Sequence, residues 1–136
     1  LEGAVGPARR GARREITRFG GRYVDSTGDG LLASFDGPAR ATRCALSMVE
    51  GVQELGLEIR AGVHAGEVEH DGDNLRGITV HVGARVAAEA RRSEVLVSRT
   101  VKDLVAGSGL VFEDAGDHEL KGIPDRWHLY RASGGS

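Results

Sequence analysis

Apolar residues return at three- and four-residue spacing in several stretches of this chain and alternate in short runs between them. Ala8, Ala12, Ile16 and Phe19 form a thin helical stripe that Gly20-Gly21 brings to an end. Ala41, Cys44, Ala45, Met48, Val52 and Leu55 repeat at three and four, which predicts an amphipathic helix of about four turns. Asp36-Gly37-Pro38 opens it, with Asp36 expected as the cap and Pro38 in the first turn, and Gly56 stops it. Ile78, Val82 and Val86 stand in a row at i, i+4 and i+8, predicting a second long helix over 77–90. Ser98 is placed to cap a short helix that runs to Val105.

The strand signals fall between these helices. Segments 22–26 and 31–35 flank Thr27-Gly28-Asp29-Gly30, and Asp-Gly between two short apolar runs is a hairpin turn signal. Segment 57–69 alternates around central glycines and reads as a strand pair or a bent strand, followed by a polar loop at 70–74. Segment 93–97 reads as a short buried strand. Segments 111–120 and 127–131 read as a closing pair around Lys121-Gly122-Ile123-Pro124-Asp125, with Trp127 expected in the core. Paired strands separated by long helices predict an α+β fold, with helices packed on a mostly antiparallel sheet.

Composition narrows the class of protein. At 136 residues with 40% hydrophobic and 28% charged positions, the chain fits one folded domain and is too apolar for a disordered one. That domain is expected over 1–132, with a polar tail at 133–136. The formal net charge of -2 disfavours a globally basic nucleic-acid binder. Six arginines against one glutamate between residues 8 and 22 make one locally basic helix, readable as a solvated face or as an anion-facing one. A lone Cys44 excludes an internal disulfide framework and suits a reducing compartment. No apolar run approaches the ~18 residues of a membrane span, and no secretory signal is visible. A cytoplasmic location without membrane contact is the expectation. Opening on Leu1 rather than Met, the chain is expected to be a fragment or a processed product.

Among residues that carry chemistry, Asp29 lies at the hairpin turn between Gly28 and Gly30, where backbone can approach a ligand closely. A carboxylate there suits a hard cation such as Mg²⁺, or is an ordinary Asp-Gly turn residue. His64, Glu67 and His70 have the types but not the tight spacing of a zinc site. Asp71-Gly72-Asp73-Asn74 does not continue as a calcium-binding loop, since its twelfth position is Val82. No lysine-terminated, glycine-rich phosphate loop is present.

Four collinear blocks resemble one known family. They are 24–41 (VDSTGDGLLASFDGPARA), 60–67 (RAGVHAGE), 77–86 (GITVHVGARV) and 119–124 (ELKGIP), and together they cover roughly residues 8–131. Their order and content resemble class III adenylate/guanylate cyclase catalytic domains, the bacterial branch especially. The resemblance implies a ferredoxin-like α+β domain working as a head-to-tail homodimer with active sites at the interface. It implies conversion of ATP to cyclic AMP and pyrophosphate in cyclic-nucleotide signalling. In that chemistry two metal ions, Mg²⁺ or Mn²⁺, help the ribose 3′-hydroxyl attack the α-phosphate.

Carried over position by position, Asp29 matches the second of the family's two metal aspartates. Arg85 matches the arginine that steadies the transition-state phosphate, and Lys121 falls in the closing loop, within reach of the β- or γ-phosphate or simply solvated. His81 stands where the family has a ribose-positioning asparagine, four residues before Arg85 on the same helix, as a replacement or as a packing residue. Asp25 stands where adenylate cyclases usually carry an adenine-reading lysine, and Asn74 aligns with that lysine's aspartate partner. A carboxylate only accepts hydrogen bonds, so Asp25 can meet the adenine amino group without replacing a lysine donor. The family's first strand, which carries its first metal aspartate, has no counterpart before residue 8, and its loss would leave an unpaired strand edge. These departures keep a second function open, a catalytically silent cyclase-homology domain serving as a nucleotide-binding or dimerisation module. An RNA-binding reading ranks last, because the strands supply few aromatics for base stacking.

Overall fold

The computed structural model describes residues 12–24, 31–71 and 74–134. In chain order the elements are α1 (12–18), β1 (Arg22–Val24), β2 (Leu32–Ser34), α2 (Pro38–Gln53), β3 (Ala61–Val63), β4 (Glu69–Asp71), β5 (Asn74–Arg76), α3 (Ile78–Glu89), β6 (Val95–Ser98), α4 (Arg99–Leu104), β7 (Val111–Glu119) and β8 (Arg126–Ser133). A four-stranded sheet in the order β3-β6-β8-β7 organises the chain, with β3 parallel to β6 and the other two pairings antiparallel. The α+β, mostly antiparallel expectation holds. Two separate antiparallel ribbons, β1-β2 and β4-β5, complete the strands.

Among the described residues, the one parallel pairing follows from connectivity. Strands β3 and β6 are joined through α3, and a helical crossover returns the chain in the same direction. Strand β6, buried at all four positions, sends Val95 and Val97 to one face and Leu96 to the other. The first face packs on Ala45 and Val49 of α2, Val101 of α4 and Val105 at its C-terminal end. The second packs on Val82 and Val86 of α3, joined by Leu120, Ile123 and Leu129. Helices therefore cover both faces. Strand β3 obeys the same alternation: Ala61 and Val63 face the α2 side, and Gly62 faces α3. A Cβ on Gly62 would fall 2.2 Å from the Ala87 backbone nitrogen, so only glycine lets α3 lie this close to the sheet.

Several sequence expectations change in detail. Asp36 is not the cap of α2: Gly37 holds that position without a side-chain bond, and Pro38 occupies the first turn. The buried stripe of α2 runs through Cys44, Ala45, Val49 and Val52, with Val49 taking the depth expected of Met48. Leu55 lies past the helix end and is 55% exposed. Ile78, first of the predicted row on α3, overhangs the helix start at 64% exposure, while Val82 and Val86 are fully buried. The loop expected at 70–74 contributes to the β4-β5 ribbon, across which Arg76 pairs with Asp71 at 3.0 Å. The closing strand β8 continues to Ser133, past the expected start of the tail. Ser98 caps α4 as expected, accepting from the Val101 N–H at 3.4 Å.

Among the described residues, no strand pairs with the outer edge of β3. A groove of about 1660 Å³ opens there, lined on one side by β2 and α2 and on the other by β3 and α3. Within the described residues no helix is long and apolar enough to cross a membrane.

Candidate functional site

Three of the six residues singled out from the sequence converge on one corner of the molecule. Positions 81 and 85 are one turn apart on α3, and the row Val82–Val86 beside them anchors the helix to the sheet. That packing leaves His81 exposed and Arg85 half-buried. The loop after β7 folds back over the same helix, because Leu120 and Ile123 insert into the α3 face of the core. The loop turns at Gly122, in the left-handed region with φ +80°, and its Cβ position would sit 3.6 Å from His81 Nε2. Lys121, the residue before Gly122, lines an open depression of about 690 Å³ together with Glu119, Asp125 and Arg126.

Charge pairing is uneven over the described surface: Arg14, Arg40, Arg60 and Arg91, like Arg85 and Lys121, stand without a carboxylate partner, while other arginines are paired. Arg18, Arg76, Arg92, Arg99, Arg126 and Arg131 each stand opposite a carboxylate. Among the described residues, neither Arg85 nor Lys121 makes a hydrogen bond or an ion pair, and the His81 side chain is likewise without a partner. A guanidinium and an ammonium with no carboxylate partner, beside an imidazole, form a surface suited to an anion such as a phosphate ester.

The remaining candidates are not brought into view. Asp25 and Asp29 lie outside the described residues, so the base-reading and metal assignments gain no geometry. Asn74 opens β5, its backbone paired with Asp71, just ahead of α3. No group of three or more His, Cys, Asp or Glu side chains among the described residues is arranged to hold a metal ion. The structure thus offers no test of a fit for Mg²⁺ or Mn²⁺, and Asp29 is the one carboxylate the sequence assigns to it.

His64 belongs to packing. Its Nδ1 lies 2.7 Å from Ser98 Oγ, and its ring meets Trp127 edge-on at 5.4 Å between centroids. Ser98 Oγ also accepts from the Val101 N–H, and its second lone pair or its own proton meets His64 Nδ1 according to the ring's tautomer. Burial pushes the His64 pKa down, consistent with a neutral ring. Trp127 packs against the α3-side core and donates its indole N–H to the Pro124 carbonyl at 3.2 Å. Sequence reasoning placed Trp127 in the core but missed the His64–Ser98 pair, whose members are 34 residues apart and meet only because β3 and β6 are neighbours.

Comparison with known proteins gives this corner a context. No family model matches the chain. It is 29% identical over 119 residues to a Rhizobium meliloti protein provisionally named as an adenylate cyclase, a match covering 81% of this chain and 20% of that protein. This chain therefore spans about a fifth of that relative's length. Among solved structures it is similar to an adenylate/guanylate cyclase/hydrolase from Silicibacter pomeroyi, at 27% identity and TM-score 0.82, covering 96% of this chain and 84% of the other. A guanylate cyclase domain from Catenaria anguillulae, solved in complex with GTP, shares the fold at TM-score 0.78 and 19% identity, with 98% and 83% covered.

Proposed function

Because the chain belongs to the class III adenylate/guanylate cyclase family, we propose that it is a catalytic domain converting ATP to cyclic AMP and pyrophosphate. The observation that carries the proposal is the α3–closing-loop corner, where Arg85 lies one turn from His81 and the loop bearing Lys121 approaches His81 at Gly122, both cations being without a carboxylate partner. The reaction forms a bond from the ribose 3′-oxygen to the α-phosphorus, breaks the bond from that phosphorus to the oxygen bridging to the β-phosphate, and releases the hydroxyl proton and pyrophosphate. Negative charge grows on the α-phosphate and on the leaving group, so donors aimed at those oxygens accelerate the step.

In this reading Arg85 bonds the non-bridging α-phosphate oxygens, Lys121 holds the departing phosphates, and His81 fixes the ribose through a ring nitrogen. Asp25 and Asn74 are assigned to the base. When bound, a divalent cation (Mg²⁺ or Mn²⁺), for which Asp29 is the proposed ligand, would supply positive charge to the triphosphate. A head-to-tail homodimer is part of the proposal, and sedimentation of the chain with and without nucleotide tests it.

The decisive experiment measures cyclic nucleotide formed from ATP and from GTP in Mn²⁺, for the chain and its Arg85→Ala and Asp29→Ala variants. Turnover of ATP that falls on the order of 100-fold or more in Arg85→Ala supports the reading. Wild-type turnover in that variant removes Arg85 from the chemistry, and preference for GTP reassigns the base. Nucleotide bound in calorimetry with no product formed would establish the silent binding module instead.

A further inference from the structure

Outside the α3–closing-loop corner, two histidines converge on an irregularity in β7. The register between β7 and β8 slips between Asp114 and Asp117, a β-bulge whose turn residue Gly116 has φ +85°. His128, on β8, reaches both sides of that bulge: Nδ1 lies 2.6 Å from Asp117 Oδ1 and Nε2 lies 2.8 Å from Asp114 Oδ1. Asp114 Oδ1 also accepts from the Gly116 N–H at 2.7 Å. His118, on β7, contacts the Ala115 carbonyl through Nε2 at 2.9 Å and Glu89 Oε1 through Nδ1 at 2.9 Å. Glu89 is the last residue of α3, one turn beyond Arg85.

Each ring therefore faces two acceptors. A neutral imidazole has one N–H and can donate to only one of them, whereas the imidazolium donates to both. We propose that His118 and His128 form a proton-held clasp that fixes the β7 bulge and ties it to the C-terminal end of α3. Deprotonating either ring sets a nitrogen lone pair against a carboxylate or carbonyl oxygen, so the clasp loosens as pH rises. The surrounding charges are Asp114 and Asp117 from β7 and Lys102 from α4, with Tyr130 stacked obliquely on His128 at 5.0 Å. Around His118 they are Glu89 from α3 and Glu94 before β6, the latter shared with Arg131. Carboxylates outnumber cations around both rings.

The directions of titration agree. Hydrogen bonds to Asp114 and then Asp117 raise the His128 pKa. For His118, burial pulls the value down, but the Ala115 carbonyl and the Glu89 carboxylate outweigh it and the net shift is upward. A histidine raised on folding stabilises the fold fully below its unfolded value of about 6.5 and loses that contribution as pH rises through the folded value. An effect on turnover would rest on the function proposed for α3; the clasp itself does not.

Nuclear magnetic resonance titration of the wild-type chain tests it without any variant. Midpoints for His118 and His128 above 6.5 are expected, and either one at or below that value overturns the proposal. Thermal unfolding of a His118→Gln/His128→Gln chain should fall about 3 °C or more below wild type at pH 6, with the gap closed by pH 8.5. A gap unchanged between the two pH values overturns it. In Glu89→Gln at pH 6, faster amide exchange in the last turn of α3 supports the tie to the helix, and unchanged protection removes it.

Discussion

Replacing Gly62 by alanine should destabilise the protein, although the same exchange in most folded settings is harmless or helpful. The new Cβ would lie 2.2 Å from the Ala87 nitrogen and 2.6 Å from its Cα, and both are backbone atoms that cannot rotate away. Normal carbon contacts begin near ~3.5 Å, so α3 would have to retreat by roughly 1 Å. Forcing one extra methyl into a packed interface costs about 1–3 kcal/mol. Against this stands only about 0.4–1 kcal/mol from the reduced freedom of the unfolded chain. For a domain of this size, the net loss lowers the unfolding midpoint by about 3 °C per kcal/mol, or up to roughly 8 °C overall, with about 4 °C at the middle of both ranges. Gly51 supplies the control: it lies inside α2, nothing comes within 4 Å of its Cβ position, and alanine there should stabilise by about 0.5–1 kcal/mol. Thermal unfolding followed by circular dichroism reads both. A Gly62→Ala chain that melts at or above wild type, while Gly51→Ala rises as expected, would refute the close approach of α3 to β3.

Three further outcomes follow from burial. Leu129 is fully buried between the sheet and α3, so Leu129→Ala should cost about 2–5 kcal/mol, seen as a lower denaturant midpoint. An unchanged midpoint would place the side chain elsewhere. His64 has its pKa pushed down by burial, so the unfolded chain binds its proton more readily and this contribution to stability is lost as pH falls below about 6.5. His64→Gln should flatten the stability profile between pH 5 and 7, and an unchanged slope contradicts a neutral, half-buried ring. Cys44 is 1% exposed and burial, aided by Glu15, pushes its thiol up to about 11. Thiol reagents at pH 8 should therefore label it at the rate of unfolding, and immediate labelling of the native chain would contradict that.

The helices and most strands were legible because their apolar periods reflect burial on one side. The row Val82–Val86 on one helix face and the continuous apolar run Val95–Val97, buried on both sides, each carried their own evidence. What escaped were features decided by a distant partner. The bulge in β7 depends on a register shift against β8, and the β4-β5 ribbon depends on pairing between residues too polar to show a strand period. The cap of α2 failed for a local reason: Gly37 intervenes between Asp36 and Pro38, and the chain turns into the helix at the glycine without a side-chain bond.

The corner at α3 was legible in composition and illegible in charge state. An exposed arginine in a sequence looks the same whether a carboxylate neutralises it or not, and this chain has 20 acidic residues to do so. Only the fold shows that Glu119 pairs with Arg126 across the β7-β8 ends while Lys121, two residues further on, stays unpaired in a loop that approaches His81 at Gly122. Arg85 is held in the same way by burial of its neighbours: Val82 and Val86 fix the rotation of α3, and rotation decides which face the guanidinium occupies. An ion pair at a protein surface contributes little, about 0–1 kcal/mol, so leaving Arg85 and Lys121 unpaired costs the fold almost nothing. The same two charges in a site closed over a bound anion would act at lower effective dielectric, where each interaction is several-fold stronger. On the function proposed for this corner, that asymmetry would let it remain unpaired in the free chain and still discriminate for a polyanionic ligand.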